Sequence, residues 1–128
     1  AATPELAPTD GQWSESLLMD PVLLFRYSAV TWNSHRIHYD AEYARNVENY
    51  PGCVMNGALT VHRIIDAAVR NNPGKTLISL TAKLFKPLFV GHTVTLAGKR
   101  TEDNQVQAWA ADEAGALAGL VTLQFKAD

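Results

Sequence analysis

Gly57-Ala58-Leu59-Thr60-Val61-His62-Arg63-Ile64-Ile65-Asp66-Ala67-Ala68-Val69-Arg70-Asn71 is the stretch on which the fold turns. Leu59, Ile64, Ile65, Ala68 and Val69 recur at near-helical spacing, and Asn71-Asn72-Pro73-Gly74 stops the helix firmly. Beyond that stop the pattern changes to strands, over Thr76 to Leu84, Thr93 to Arg100, Gln105 to Ala111 and Ala116 to Lys126. Turn signals at Gly91, Asp103-Asn104 and Glu113-Ala114-Gly115 separate them. Connections this short imply antiparallel pairing. One mostly apolar helix and four long strands predict an α+β domain in which a curved sheet wraps the helix. Such a sheet leaves an edge or a face open, which dimerisation commonly covers.

Upstream, Val22 to Val30 is apolar, β-branched and aromatic, and reads as a buried strand. Asp40 to Glu48 reads as a short helix capped by Asp40, and Tyr50-Pro51-Gly52 breaks it. Residues 1–20 carry two prolines and no sustained period, so they read as an irregular arm. Trp13 and Leu17-Leu18-Met19 are its candidate anchors to the body. There is no internal repeat and no low-complexity segment.

The chain's 128 residues suit one domain, with a core burying roughly two-thirds of the unfolded surface. A net charge of −2 offers no basic field for nucleic acid or an anionic membrane. No stretch approaches the ~20 apolar residues of a membrane span. Cys53 is the sole cysteine, so no intramolecular disulfide can form and a reducing, cytoplasmic setting is expected. The start, Ala1-Ala2-Thr3-Pro4-Glu5, lacks the basic and apolar regions of a signal peptide. It also lacks Met, so a processed, trimmed or excised chain is expected.

The run Thr31-Trp32-Asn33-Ser34-His35-Arg36-Ile37-His38-Tyr39-Asp40 gathers two imidazoles, a carboxamide, a guanidinium and a carboxylate. Polar groups this dense beside an apolar stretch need partners, since each one buried unpaired costs roughly 1–3 kcal/mol. A structural knot and a site are the two readings, and the site is preferred.

The order of elements resembles the hot-dog fold, and within it the MaoC-like hydratases and dehydratases acting on acyl thioesters. His38 falls on that family's catalytic His and Asp40 on its trailing Asp, while Tyr43-Ala44 falls on an aromatic or Tyr-Ala pair. Val54-Met55-Asn56-Gly57-Ala58-Leu59 resembles its opening of the central helix. Ala82 to Val94 resembles its Phe-Leu-Arg-Pro-Val-Phe-Pro-Gly-Asp-Thr segment. Phe25 to Asp40 is similar to the mesaconyl-CoA hydratase and hydroxyacyl-thioester dehydratase type 2 branch, in which Asn at the position of Asn33 is usual. The resemblance implies a hot-dog domain over 21–128. Residues 1–20 would then be an N-terminal arm, or the remnant of a linker from a second hot-dog domain. Asn56 departs from both branches, which present a His there.

Interconverting enoyl and 3-hydroxyacyl thioesters needs a base, an acid for departing hydroxide, and donors for an enolate-like oxygen. His38 suits the first two, because imidazole exchanges protons near neutral pH. Asn33 cannot ionise but can hold the attacking water. Gly57 would offer its backbone N–H at a helix N-terminus and, lacking a side chain, would admit the thioester carbonyl. Asn56, His35, Tyr43 and Arg36 are the candidate substrate contacts. Plainer readings stand beside them: a structural His35, a salt-bridged Arg36 and Asp40 as a helix cap. Lys83, Lys86, Lys99 and Arg100 are candidates for the phosphates of CoA or a carrier arm, or are ordinary solvent-facing charges.

His35, His38 and Asp40 superficially offer metal ligands, but with no second cluster no metal is expected. The reading is therefore a hydratase/dehydratase that needs no cofactor beyond the CoA or phosphopantetheine of its acyl-thioester substrate, working as a homodimer or paired with a second hot-dog domain. Asn56 motivates an alternative, a non-catalytic or partner-dependent subunit of a heteromeric dehydratase. A tailoring cyclase or isomerase acting on a carrier-bound chain is a further one. A thioesterase would need a helix carboxylate near the thioester, for which Glu48 and Asp66 are poorly placed.

Overall fold

Residues 3–128 are described by a computed structural model; residues 1 and 2, the start of the expected arm, lie outside the described residues. The chain runs β1 (Trp13–Leu18), α1 (Pro21–Val30), a 3-10 turn (Arg36–His38), α2 (Ala41–Asn46), α3 (Gly57–Arg70), β2 (Leu77–Leu84), β3 (Thr93–Glu102), β4 (Gln105–Ala111) and β5 (Leu117–Phe125). The strands form one sheet in the order β1-β3-β4-β5-β2, and every pairing is antiparallel. The long helix and the four later strands lie where the periodicity predicts them.

The α3 helix lies on one face of the sheet. Its buried Leu59, Ile64, Ala67 and Ala68 share a single core with Val94, Leu96, Val106, Ala108, Ala110, Val121 and Leu123. Alanines on both sides let helix and sheet approach closely, and each buried Leu or Ile contributes roughly 1.5–3 kcal/mol. On the opposite face Trp109 packs with Ala97 and Leu117. Among the described residues no helix is long and apolar enough to cross a membrane.

Two expectations are corrected. The stretch expected as a strand, Val22 to Val30, is the helix α1. Asp20 caps it by accepting a hydrogen bond from the Val22 N–H at 2.6 Å, and Pro21 sits in its first turn. Leu24 and Ser28 are buried while Leu23 and Tyr27 pack beside the core, a helical spacing that the β-like composition masks.

The second correction concerns the arm. Residues 13–18 are not irregular but form β1, paired with β3 from Trp13↔Gly98 to Leu18↔Thr93. Trp13, Glu15 and Leu17 alternate with the exposed Ser14, Ser16 and Leu18. A glutamate on the inner side hides this period, and it is tolerated because Arg70 grips it with two hydrogen bonds of 2.8 and 2.9 Å. The expected anchors engage unequally: Met19 is buried, Trp13 and Leu17 pack on the core, and Leu18 is exposed. Before β1 the chain crosses the outer face of the sheet, where Leu117 donates its N–H to Glu5 O and Ala7 donates its own to Gly115 O.

Candidate active site

The polar run starts where α1 ends. Trp32 donates its N–H to Ala29 O, and Asn33 donates its own to Ser28 O at 2.9 Å. This pair of bonds is a Schellman cap, with Trp32 at φ 56° in the left-handed position that glycine usually fills. Asn33 then turns the chain by accepting from the His35 N–H at 3.1 Å. One short turn later the chain reaches His38, while Asp40 caps α2 by accepting from the Tyr43 N–H at 3.0 Å. That N–H, and after it the Arg36 guanidinium at 2.8 Å, hold the Asp40 carboxyl below the usual carboxylate range. Arg36 also stacks 4.2 Å from the centre of the Tyr43 ring. Arg36, Asp40 and Tyr43 thus brace one another around the turn.

His38 is buried, and its Nδ1 lies 2.7 Å from Val54 O. A carbonyl oxygen can only accept, so Nδ1 carries the proton and Nε2 keeps the lone pair. The Val54 N–H donates in turn to Ile37 O at 2.8 Å, which fixes the turn and the Val54 strand segment to each other from both sides. The His35 ring meets the His38 ring edge-on, 5.6 Å between centres.

His38 lines a cavity of about 220 Å³ whose other polar groups come from Gly57, Thr60 and Lys86. Val54, Met55, Leu84, Pro87 and Leu88 form its apolar wall. Gly57 opens α3, and Asn56, the preceding cap residue, makes no side-chain cap bond to the helix. First-turn N–H groups with no side-chain cap attract negative charge. The Gly57 side-chain space is not left open, however. A Cβ there would lie 2.8 Å from Leu84 Cδ1, so Leu84 takes up the side-chain space and a substrate carbonyl would be met by the backbone N–H alone.

Asn56 is buried and donates Nδ2 to Ser28 Oγ at 3.3 Å, which ties α1 to the start of α3; its Oδ1 has no partner among the described residues. Behind the cavity, Lys86 is bonded to Asp112. Burial would push the Asp112 carboxyl up, but the Lys86 ammonium and the Ala116 N–H outweigh it and hold the carboxyl low. Burial pushes the Cys53 thiol up.

Of the residues singled out from sequence, His38 and Gly57 meet in one cavity. Asn33 does not open on it. Its side chain lines a neighbouring, exposed groove of about 310 Å³ with Phe25, Ser28, Trp32 and Tyr39. His35, Arg36 and Tyr43 support the turn, and Asn56 lies between the two recesses. Sequence reasoning missed the Val54 carbonyl, Thr60 and Leu84. The stretch around Val54 stands out in the sequence for its helix start, but nothing in a sequence marks a backbone carbonyl as a histidine's partner. Among the described residues no group of three or more His, Cys, Asp or Glu side chains is arranged to hold a metal ion.

A long helix laid on an antiparallel sheet, with a buried histidine over the helix N-terminus, defines a hot-dog domain of the MaoC-like kind. The backbone superposes on the (R)-hydratase from A. caviae involved in PHA biosynthesis with a TM-score of 0.77 at 19% identity, covering all of both chains. Residues 1–90 match the family model for hydroxyacyl-thioester dehydratase type 2. The chain is 36% identical over 125 residues to the mesaconyl-C(4)-CoA hydratase of Chloroflexus aurantiacus, covering 96% of this chain and 44% of that protein. It is 31% identical over 94 residues to the mitochondrial hydroxyacyl-thioester dehydratase type 2 of Schizosaccharomyces pombe, covering 72% of this chain and 31% of that protein. The chain belongs to the hydroxyacyl-thioester dehydratase type 2 family. It spans less than half the length of either of these two relatives.

Proposed function

We propose that this chain carries the catalytic hot-dog domain of a hydro-lyase that interconverts enoyl and 3-hydroxyacyl thioesters. The observation that carries this reading is the fixed tautomer of His38: Nδ1 is committed to Val54 O, and Nε2 is left as the basic nitrogen of a cavity that also holds the α3 N-terminus. In the dehydration direction, Nε2 takes the proton from the α-carbon of the 3-hydroxyacyl thioester. The electron pair moves onto the thioester oxygen, which the Gly57 N–H stabilises. As the enolate collapses, the C3–O bond breaks and the imidazolium returns its proton to the departing hydroxide, giving water and the enoyl thioester. Hydration is the reverse. The proton transfers use only the His38 imidazole, and the Gly57 N–H stabilises the oxygen without giving up its proton; CoA or a phosphopantetheine arm enters as part of the substrate.

Replacing His38 with Ala tests the reading through hydration of crotonyl-CoA and mesaconyl-CoA. The expected loss is at least ~10²-fold, the usual scale for a general acid/base. Activity near the wild-type level would refute it.

Pairing with a second hot-dog domain, from another copy or a longer chain, completes the proposal. The edge strand β2 supports it, since among the described residues its backbone pairs on one side only and Ile78 and Leu80 are 60% and 38% exposed. The position of Asn33 favours a partner-dependent version. Its side chain lies on an open groove beside exposed Phe25 and Trp32, apart from the His38 cavity, a largely apolar surface that a partner domain would cover. The sole cysteine, Cys53, buried and unpaired, is in keeping with a reducing compartment such as the cytoplasm.

A further inference from the structure

We propose that Leu84 is the residue that sets which acyl chains the His38 cavity accepts, restricting it to short ones; this rests on the hydro-lyase reading above. Leu84 ends the edge strand β2 and pairs across the sheet with Gly119 of β5. Its side chain is half exposed, yet it lines the same cavity as His38. Two glycines make its seat. A Cβ at Gly57 would fall 2.8 Å from its Cδ1, and one at Gly119 would fall 3.4 Å from its Cδ2. Ile64 Cδ1 and Thr60 Cγ2 lie 3.2 and 3.3 Å from the same point at Gly119, so Leu84 meets these two α3 side chains and the two glycines in one notch.

The geometry gives this leucine a sorting role. A thioester oxygen on the Gly57 N–H, with its α-carbon at His38 Nε2, brings the substrate against the wall that Leu84 forms. The cavity, at about 220 Å³, lies below the ~300–1,000 Å³ of pockets that enclose drug-sized ligands. The rest of the lining near Gly57 is fixed by the helix and by buried Val54, Met55 and Leu88. Leu84, half in water at the end of an edge strand, is the wall residue whose removal deepens the cavity with the least disturbance to the core.

The test compares kcat/KM for crotonyl-CoA and trans-2-octenoyl-CoA in wild type, Leu84→Ala, Leu84→Phe and, as a surface control, Val47→Ala. The octenoyl-to-crotonyl ratio should rise at least ~10-fold in Leu84→Ala and fall in Leu84→Phe, as methylene-scale changes in apolar pockets discriminate by roughly 10–200-fold. It should not move in Val47→Ala. Circular dichroism melting checks folding, and if Leu84→Ala does not fold, Leu84→Val and Leu84→Phe decide. Unchanged ratios in an active, His38-dependent enzyme would overturn the assignment of Leu84 and leave the hydro-lyase reading standing. A wild type inactive on every thioester, alone and with its partner domain, would remove both.

Discussion

Trp32 is held where its own chemistry resists being held. Left-handed backbone costs a residue with a Cβ roughly 1–2 kcal/mol, and a 93% exposed indole recovers little of that by burial. Trp32→Gly would keep both bonds of the α1 cap and remove the strain, against a smaller entropic cost of the added glycine. It is expected to raise stability by about 0.5–1 kcal/mol, read as a higher urea midpoint at unchanged slope. A lower midpoint would show that the indole stabilises the folded chain despite its exposure. Strain of this kind, on the groove beside the candidate site, marks a side chain kept for what it meets there. At this scale the sequence was informative about side chains and silent about backbone. His38 and Gly57 could be picked out by residue type and position, whereas the Val54 carbonyl that sets the His38 tautomer has no side-chain signature.

Among the elements, those with a clean period were legible and those that break it for a reason were not. Strands β2 to β5 follow from alternation and turn residues, and α3 from its apolar stripe. By contrast, α1 is built from residues common in strands, and the cue for a helix was the pair Asp20-Pro21 just ahead of it. That cap makes a prediction. Asp20→Ala removes the acceptor for the Val22 N–H and should cost about 1 kcal/mol of stability in chemical denaturation. A neutral result would mean that Leu24 and Ser28 packing alone holds the helix. Strand β1 was hidden by Glu15, whose inward position makes sense only once Arg70, 55 residues away, is seen to reach it. Leu84 was illegible for a similar reason, since its seat is assembled from Gly57 and Gly119 on two other elements.

Across the whole molecule, carboxylates tie distant segments together. The hydrogen bond from Arg70 holds Glu15 below its ordinary value of 4.5, joining β1 to α3. Asp112, held below 3.8, joins the end of β4 to Lys86 at the cavity. Both groups have depressed values in the folded state, so their stabilisation is present at neutral pH and is lost as pH falls through the folded values. The thermal midpoint should therefore be flat near neutrality and drop from about pH 5 downward. Glu15→Gln should flatten part of that slope, measured by melting at a series of pH values in low salt; an unchanged slope would show that Glu15 contributes nothing to it.

The segment that crosses the outer face of the sheet has a consequence in time as well as in space. Its bonds join residue 5 to residue 117 and residue 7 to residue 115. Likewise β1 has no partner until β3 has been made, some eighty residues later. Closing loops of that length early is entropically costly, so contacts this remote in sequence slow folding and form late. On a ribosome, the opening residues of this domain would wait unpartnered through nearly the whole of its synthesis. The polar, proline-containing character of residues 3–12 suits that interval, because it keeps the waiting segment from joining the wrong strand.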